Sequence, residues 1–227
     1  MILGIVEQFN NSLIVDNRYK YIISGLGNTI VMALFAVIIG LIFGLLIALI
    51  RNNYENNKRL PLLNTLSKGY VAIIRGTPVL LQLMIIYYVI FASVNINVVL
   101  VGIIAFGLNS AAYVSEIIRA GLDSIDKGQM DGGRALGFNY HETMRYIILP
   151  QALKNVMPAL CNEFITLLKE TSVAGYIGII ELTKAGDIIA SRTYNYFFPL
   201  ILTALIYLVL TLGLSKIIKK FEKRGGT

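Results

Sequence analysis

VMPALCNEFITLLKETSVAGYI, residues 156–177, decides how many times this chain crosses a membrane. Its eight Val, Leu, Ile and Phe residues favour insertion by roughly 0.5 kcal/mol each, whereas Glu163, Lys169 and Glu170 oppose it by about 3 kcal/mol each. Taken alone, the segment should stay out of a bilayer. Its neighbours argue the reverse. Uncharged runs of 30 residues (21–50), 40 residues (76–115) and 23 residues (193–215) are long enough to span, and Asn95-Ile96-Asn97 divides the second run into two spans with a short turn. With only these four, the basic tail Lys216, Lys219, Lys220, Lys223 and Arg224 falls opposite the other basic loops. A fifth span at 156–177 sorts the charges: with the N-terminus outside, Arg51, Lys58, Arg59, Arg119, Lys127, Arg134, Arg145, Lys154 and the tail lie inside. That is thirteen cations, against the four outer ones Arg18, Lys20, Lys184 and Arg192, with Lys68, Arg75 and Lys169 near or within spans.

Composition agrees. Of 227 residues 56% are hydrophobic and 15% charged, with a mean hydropathy of +0.69, which excludes an ordinary soluble domain. The net charge of +7 is accounted for by basic inner flanks rather than a nucleic-acid surface. The single Cys161 and single His141 give no disulfide and no metal-ligand spacing. The N-terminus has no basic leader region, and the first apolar run is too long for a signal core, so it is expected to remain as a span. The expected fold is an all-α integral membrane protein of five transmembrane helices, with the C-terminus cytoplasmic. Residues 1–20 form an extracytoplasmic segment, 21–218 the membrane domain and 219–227 a basic cytoplasmic tail.

The inner loop, 121–155, is too long for a mere turn and too patterned for a linker. Met130-Asp-Gly-Gly-Arg-Ala-Leu-Gly137 followed by Ile147-Ile-Leu-Pro150 predicts a helix, a sharp glycine turn and a second helix, with Pro150 ending or redirecting it. A short rigid element between spans three and four sits where a push from a soluble motor reaches both at once. No G-x-x-x-x-G-K-[ST] run occurs, so such a motor's nucleotide site is not read in this chain.

Asp131-Gly132-Gly133, three residues, Gly137, nine residues and Ile147-x-Leu149-Pro150 together resemble the EAA loop of ABC importer permeases. Arg75-Gly76-Thr77-Pro78, Gln151-Ala152-Leu153, Asn162-Glu163-Phe164-Ile165 and Leu168-Lys169-Glu170-Thr171-Ser172 are similar to the polar amino acid permeases of the histidine, arginine and glutamine uptake type. The resemblance implies a type I importer subunit in a bacterial cytoplasmic membrane, paired with a second permease copy or a paralogue. It further implies ABC ATPase subunits that bind ATP and Mg, an extracytoplasmic amino-acid-binding protein and no cofactor on this chain. Asp131, Gly132, Gly133, Arg134, Ala135, Leu136 and Gly137 would form the ATPase-coupling element. Asp-Gly-Gly replaces the usual Glu-Ala-Ala, and each helical glycine costs roughly 1 kcal/mol relative to alanine, so this helix is expected to be weak and to order on docking.

Ionisable residues within spans face a water-filled path or pair with one another. Glu163 and Glu170, two helical turns apart with Thr166 between them and Asn162 adjacent, form an acidic stripe that would attract a cation. The alternative is that either acid pairs with Lys169 or Arg75. Arg75, Gly76, Thr77 and Pro78 interrupt a helix running from about residue 61 to 91, leaving backbone polar groups for substrate or forming a packing kink. Gln82 extends that polar face. Span three adds Asn109, Ser110, Ser115 and Glu116, with Glu116 alternatively an ordinary ion pair of Arg119. Tyr87, Tyr88, Tyr194 and Tyr196 read as interfacial anchors.

The function expected is ATP-driven import of polar amino acids, basic ones favoured by Glu163, by alternating access. An ATP-independent cation channel or ion-coupled amino acid carrier is the alternative, and it would have no use for the patterned loop. An enzyme is not expected: there is no His-Glu-x-x-His and no Gly-x-Ser-x-Gly.

Overall fold

The computed structural model describes residues 2–224, and among these there is no strand. Helix α1 (Ile2–Phe9) leads through short turns to α2 (Tyr19–Asn57), followed by α3 (Pro61–Gly76) and α4 (Val79–Ile85), which continues as a π-turn to Ile90. Then come α5 (Val98–Asp123), α6 (Lys127–Ala135), α7 (Tyr140–Thr143), a π-turn (Met144–Ile148) and α8 (Leu149–Glu170). A 3-10 turn (Thr171–Ile177), α9 (Leu182–Thr193) and α10 (Phe197–Arg224) complete the chain. The last three residues of the basic tail lie outside the described residues.

By length and composition, three described helices can cross a membrane: α2, α5 and α10. A fourth span is α3 with α4 and its π-turn if that pair, bent by 111°, is one. The expected fifth, residues 156–177, is split between α8 and the 3-10 turn. Although its charges keep it from qualifying by composition, α8 packs against α2 and α5 with Leu167 and Leu168 buried.

Local chemistry sets the boundaries. Lys58 and Leu60 adopt φ of 54° and 58°, turning the chain between α2 and Pro61, whose fixed φ suits the first turn of α3. Asn97 caps α5 by accepting from Val99 N–H at 2.8 Å. Of the two outcomes expected for Pro150, ending or redirecting a helix, the structure does not show the first. The chain passes from α7 through the π-turn into α8 without a non-helical residue, and Pro150 sits in the first turn of α8. The widened turn beforehand absorbs the missing donor.

The centre is the long crossing of α2 on α5. Gly40 of α2 meets Ser110 and Gly44 meets Val114, close enough that a Cβ at either would lie under 3.0 Å from its neighbour. Such small-residue approaches replace the hydrophobic drive that lipid cannot supply between helices. Around them Met32, Leu83, Val101, Phe106, Leu167 and Ile179 form a buried core. A second core joins Leu182, Ala185 and Ile189 of α9 to Leu13 and Ile22. Phe35, Ile42 and Leu46 of α2 and Leu205, Val209 and Leu212 of α10 are left exposed, as lipid-facing surface requires.

Candidate functional site: a polar seam and a projecting loop

The helix break at Pro78 is present, but its backbone groups are not free. Gln82 Nε2 lies 2.7 Å from Ile74 O, 3.0 Å from Thr77 O and 2.8 Å from Thr77 Oγ1, so its two hydrogens serve the Ile74 carbonyl that Pro78 cannot reach as a donor and the Thr77 oxygens at the break. Thr77 Oγ1 itself donates to Ile73 O at 2.8 Å. Asn109 Nδ2 of α5 donates to Gln82 Oε1 at 2.9 Å, while Asn109 Oδ1 is buried with no partner. Gly76 lies in open space.

One position along α5, Ser110 donates to Glu163 Oε1 of α8 at 2.8 Å. Glu163 and Glu170 are half-buried, whereas Asn162, Thr166 and Lys169 on the same helix are exposed. Among the described residues neither acid has an ion-pair partner within 4.0 Å. The alternative pairing with Arg75 or Lys169 is therefore not adopted.

Arg75 is engaged elsewhere. It lies 3.4 Å from Glu116 and over the Tyr113 ring, where Glu116 is also bound by Arg51 and, at 3.1 Å, by Arg119. Arg119 reaches on to Asp123 at 2.6 Å. The expected Glu116–Arg119 pair is thus part of a hub joining α2, α3 and α5, six residues, or about 9 Å of helix rise, from Ser110. Ser115 is fully buried and donates back to Ala112 O at 2.8 Å. The structure pairs Gln82 with Asn109 and Glu163 with Ser110, from consecutive residues of α5, and places Arg75, Glu116 and Ser115 apart from both pairs. Arg51 and Gly40 gave no sequence signal beyond a charge flanking a span and a small residue inside one.

The loop between α5 and α8 has the expected helix, glycine turn and second helix. Asp126 caps α6 by accepting from Gly128 N–H at 2.6 Å. Gly137 makes the turn at φ 91°, and Asn139 with Glu142 forms a capping box for α7. Asp131, Gly132, Arg134, Ala135, Leu136 and Gly137 are exposed and Gly133 is buried. A Cβ on Gly133 would lie 2.5 Å from Thr143 Cγ2 and 3.0 Å from Ile147 Cδ1, so this glycine permits the packing of α6 on the following helix. The weak helix expected to order on docking is formed here because tertiary packing supports it. A cavity of about 650 Å³ beside α6 is lined by Glu55, Asp123, Asp126 and Asp131.

Ahead of α9, fully buried Glu181 caps the helix, accepting from Thr183 N–H and Lys184 N–H at 2.6 Å each. Tyr207 of α10 donates to it at 3.2 Å, and Thr29 of α2 accepts from Leu182 N–H at 3.1 Å. Burial raises the Glu181 carboxyl above its ordinary range, with these hydrogen bonds pulling the other way.

Residues 40–225 match the family described as binding-protein-dependent transport system inner membrane component. The putative glutamine transport system permease protein GlnP of Rickettsia typhi is 41% identical over 209 residues, 91% of this chain and 94% of that protein. The arginine transport system permease protein ArtQ of Bacillus subtilis is 40% identical over 209 residues, 91% of this chain and 93% of that one. A crystal structure of an amino acid ABC transporter with histidines superposes with a TM-score of 0.84 at 42% identity, covering 92% of this chain and 96% of that one. An inward-facing MetNI methionine ABC transporter superposes with a TM-score of 0.75 at 19% identity over 91% of this chain and 96% of its own, a likeness of fold.

Proposed function

The chain belongs to the family of binding-protein-dependent transport system inner membrane components, and we propose that within an amino acid ABC importer it moves basic amino acids along the Glu163 face of α8. It is a multi-pass membrane permease subunit, not an enzyme by family. The observation that carries the substrate reading is Glu163, half-buried, bonded to Ser110 and without a cationic partner among the described residues. A carboxylate so placed has one oxygen fixed and the other available to a substrate cation. Relatives named for glutamine and for arginine are compatible with this reading, since a carboxylate also holds the α-ammonium of any amino acid.

In this reading α8 is the fourth of five spans, with the N-terminus outside and α6 inside. Its charges are tolerated because they face a second permease copy or paralogue across a shared path rather than lipid. The exposed face of α6, Asp131 to Gly137, docks on an ATPase subunit that binds ATP and Mg, and nucleotide-driven closure is passed through α7 into α8. An extracytoplasmic binding protein delivers the substrate, and alternating access follows from the switching of α5 and α8 about α2.

The test is uptake of labelled arginine into proteoliposomes holding this chain with its ATPase, with binding protein outside and ATP inside or omitted. Accumulation only with ATP supports the importer. Flux without ATP would replace it with a channel or ion-coupled carrier, and ATP-dependent uptake of glutamine with none of arginine would overturn the basic-substrate assignment.

A further inference from the structure

Three helices meet in a line at Gly40, Ser110 and Glu163. Gly40 is buried on α2, and a Cβ there would stand 2.7 Å from Ser110 Oγ and 2.8 Å from Ser110 Cβ. Ser110 is fully buried on α5. A serine inside a helix commonly returns its hydrogen to a carbonyl one turn back, as Ser115 does to Ala112 and Ser215 to Thr211. Ser110 instead sends its hydrogen across the helix interface to Glu163 Oε1 at 2.8 Å. A hydroxyl has one hydrogen to give, so the direction in which it points decides whether the carboxylate is held.

We infer that Gly40, through Ser110, is a positioning residue for substrate selection: the missing side chain on α2 leaves Ser110 the room to hold one carboxylate oxygen of Glu163 and turn the other to the substrate's cation. The inference rests on the assignment of Glu163 to the substrate path. A side chain at 40 meets the Ser110 side chain itself and turns its hydroxyl aside, and that rotation releases Glu163 Oε1. Gly44, one turn further along the same interface, supplies a matched comparison. The atoms nearest a Cβ there belong to Val114, at 2.6 Å from Cγ1, and to the Ala111 carbonyl, at 2.9 Å, so Gly44→Ala strains the same crossing at a contact other than Ser110.

The experiment measures initial uptake of labelled arginine and glutamine by the complete complex, with ATPase and binding protein, in proteoliposomes. Gly40→Ala and Ser110→Ala are each expected to lower the arginine-to-glutamine ratio about tenfold, the lower end of what a hydrogen bond to a charged group is worth. On a Glu163→Gln background, adding Gly40→Ala should leave the ratio where it stands, because the two changes act on one interaction. Gly44→Ala should slow both substrates alike. The inference is overturned if Gly40→Ala also slows both alike, or if it lowers the ratio further in the absence of Glu163. Should Gly40→Ala fail to assemble, Ser110→Ala adds no volume, and an unchanged ratio in that variant overturns the inference by itself. A ratio left unchanged by Glu163→Gln alone would instead remove the path assignment on which the inference stands.

Discussion

Gln82 on α4 and Asn109 on α5 share a hydrogen bond of 2.9 Å, and the same Gln82 side chain covers the Ile74 and Thr77 carbonyls at the Pro78 break. The break in the second span is therefore sealed within the protein. Gln82→Leu should leave buried carbonyls and the Asn109 amide unpaired, at about 1–3 kcal/mol for each unsatisfied group. The expected result is a lower Tm of the solubilised complex and equal slowing of arginine and glutamine. A substrate-specific loss at unchanged Tm would instead put Gln82 in contact with substrate.

Glu163→Gln keeps the side chain's shape and an acceptor for Ser110 while removing the charge. Loss of a charge-assisted contact of about 1.5–3 kcal/mol corresponds to roughly a 10- to 100-fold rise in KM for arginine uptake. Glutamine uptake should change several-fold less. Equal effects on both substrates would end the argument for cation selectivity.

Neighbouring glycines of α6 should respond with opposite signs. Gly132 faces open space, so Gly132→Ala should stabilise the loop by up to about 1 kcal/mol through helix propensity. Gly133→Ala drives a methyl group toward Thr143 and should destabilise by about 1–3 kcal/mol. Hydrogen exchange over residues 127–150 reads both, and faster exchange in Gly132→Ala would contradict the open geometry.

Leu136 at the tip of the same loop is 78% exposed, so Leu136→Asp should shift the chain's own stability by less than about 0.5 kcal/mol. Co-purification with the ATPase and ATP-dependent uptake should nevertheless fall at least tenfold, the effect of placing a charge in an apolar contact of about 1.4 kcal/mol or more. Undiminished co-purification would remove the tip of α6 from the coupling interface.

Glu181, between the 3-10 turn and α9 and outside the spans, makes stability depend on pH. Because burial raises its folded-state pKa, the folded chain holds this proton more tightly than the unfolded one. Its contribution is complete below the unfolded-state value and is lost as pH rises through the raised folded value. Tm should fall across that window, and Glu181→Gln should flatten the fall. A profile identical in the variant would show that another group sets it.

The amino-acid sequence alone determined what depends on neighbours along the chain. Uncharged runs, the Asn95–Asn97 turn, the break at Pro78 and the spacing from Asp131 to Pro150 are local patterns, each tied to a length or a backbone constraint. Their outcomes are α2, α5, α10, the bent α3–α4 pair and the α6–α7 loop. The fate of Pro150 was not legible, because whether a proline ends a helix depends on the turn before it, here a π-turn.

Only the tertiary structure decided which polar groups meet. Arg51 finds Glu116 across 65 residues, and Ser110 finds Glu163 across 53. Arg75 and Glu116, offered by the sequence as path residues with Glu116 alternatively an ion pair of Arg119, meet in one ionic hub that includes Arg119. A pattern of charge and hydropathy does not say which serine, arginine or acid a given side chain meets. Their partners are selected by how closely α2, α5 and α8 approach, and that distance is fixed by side chains as small as Gly40 packing against residues far away in the chain.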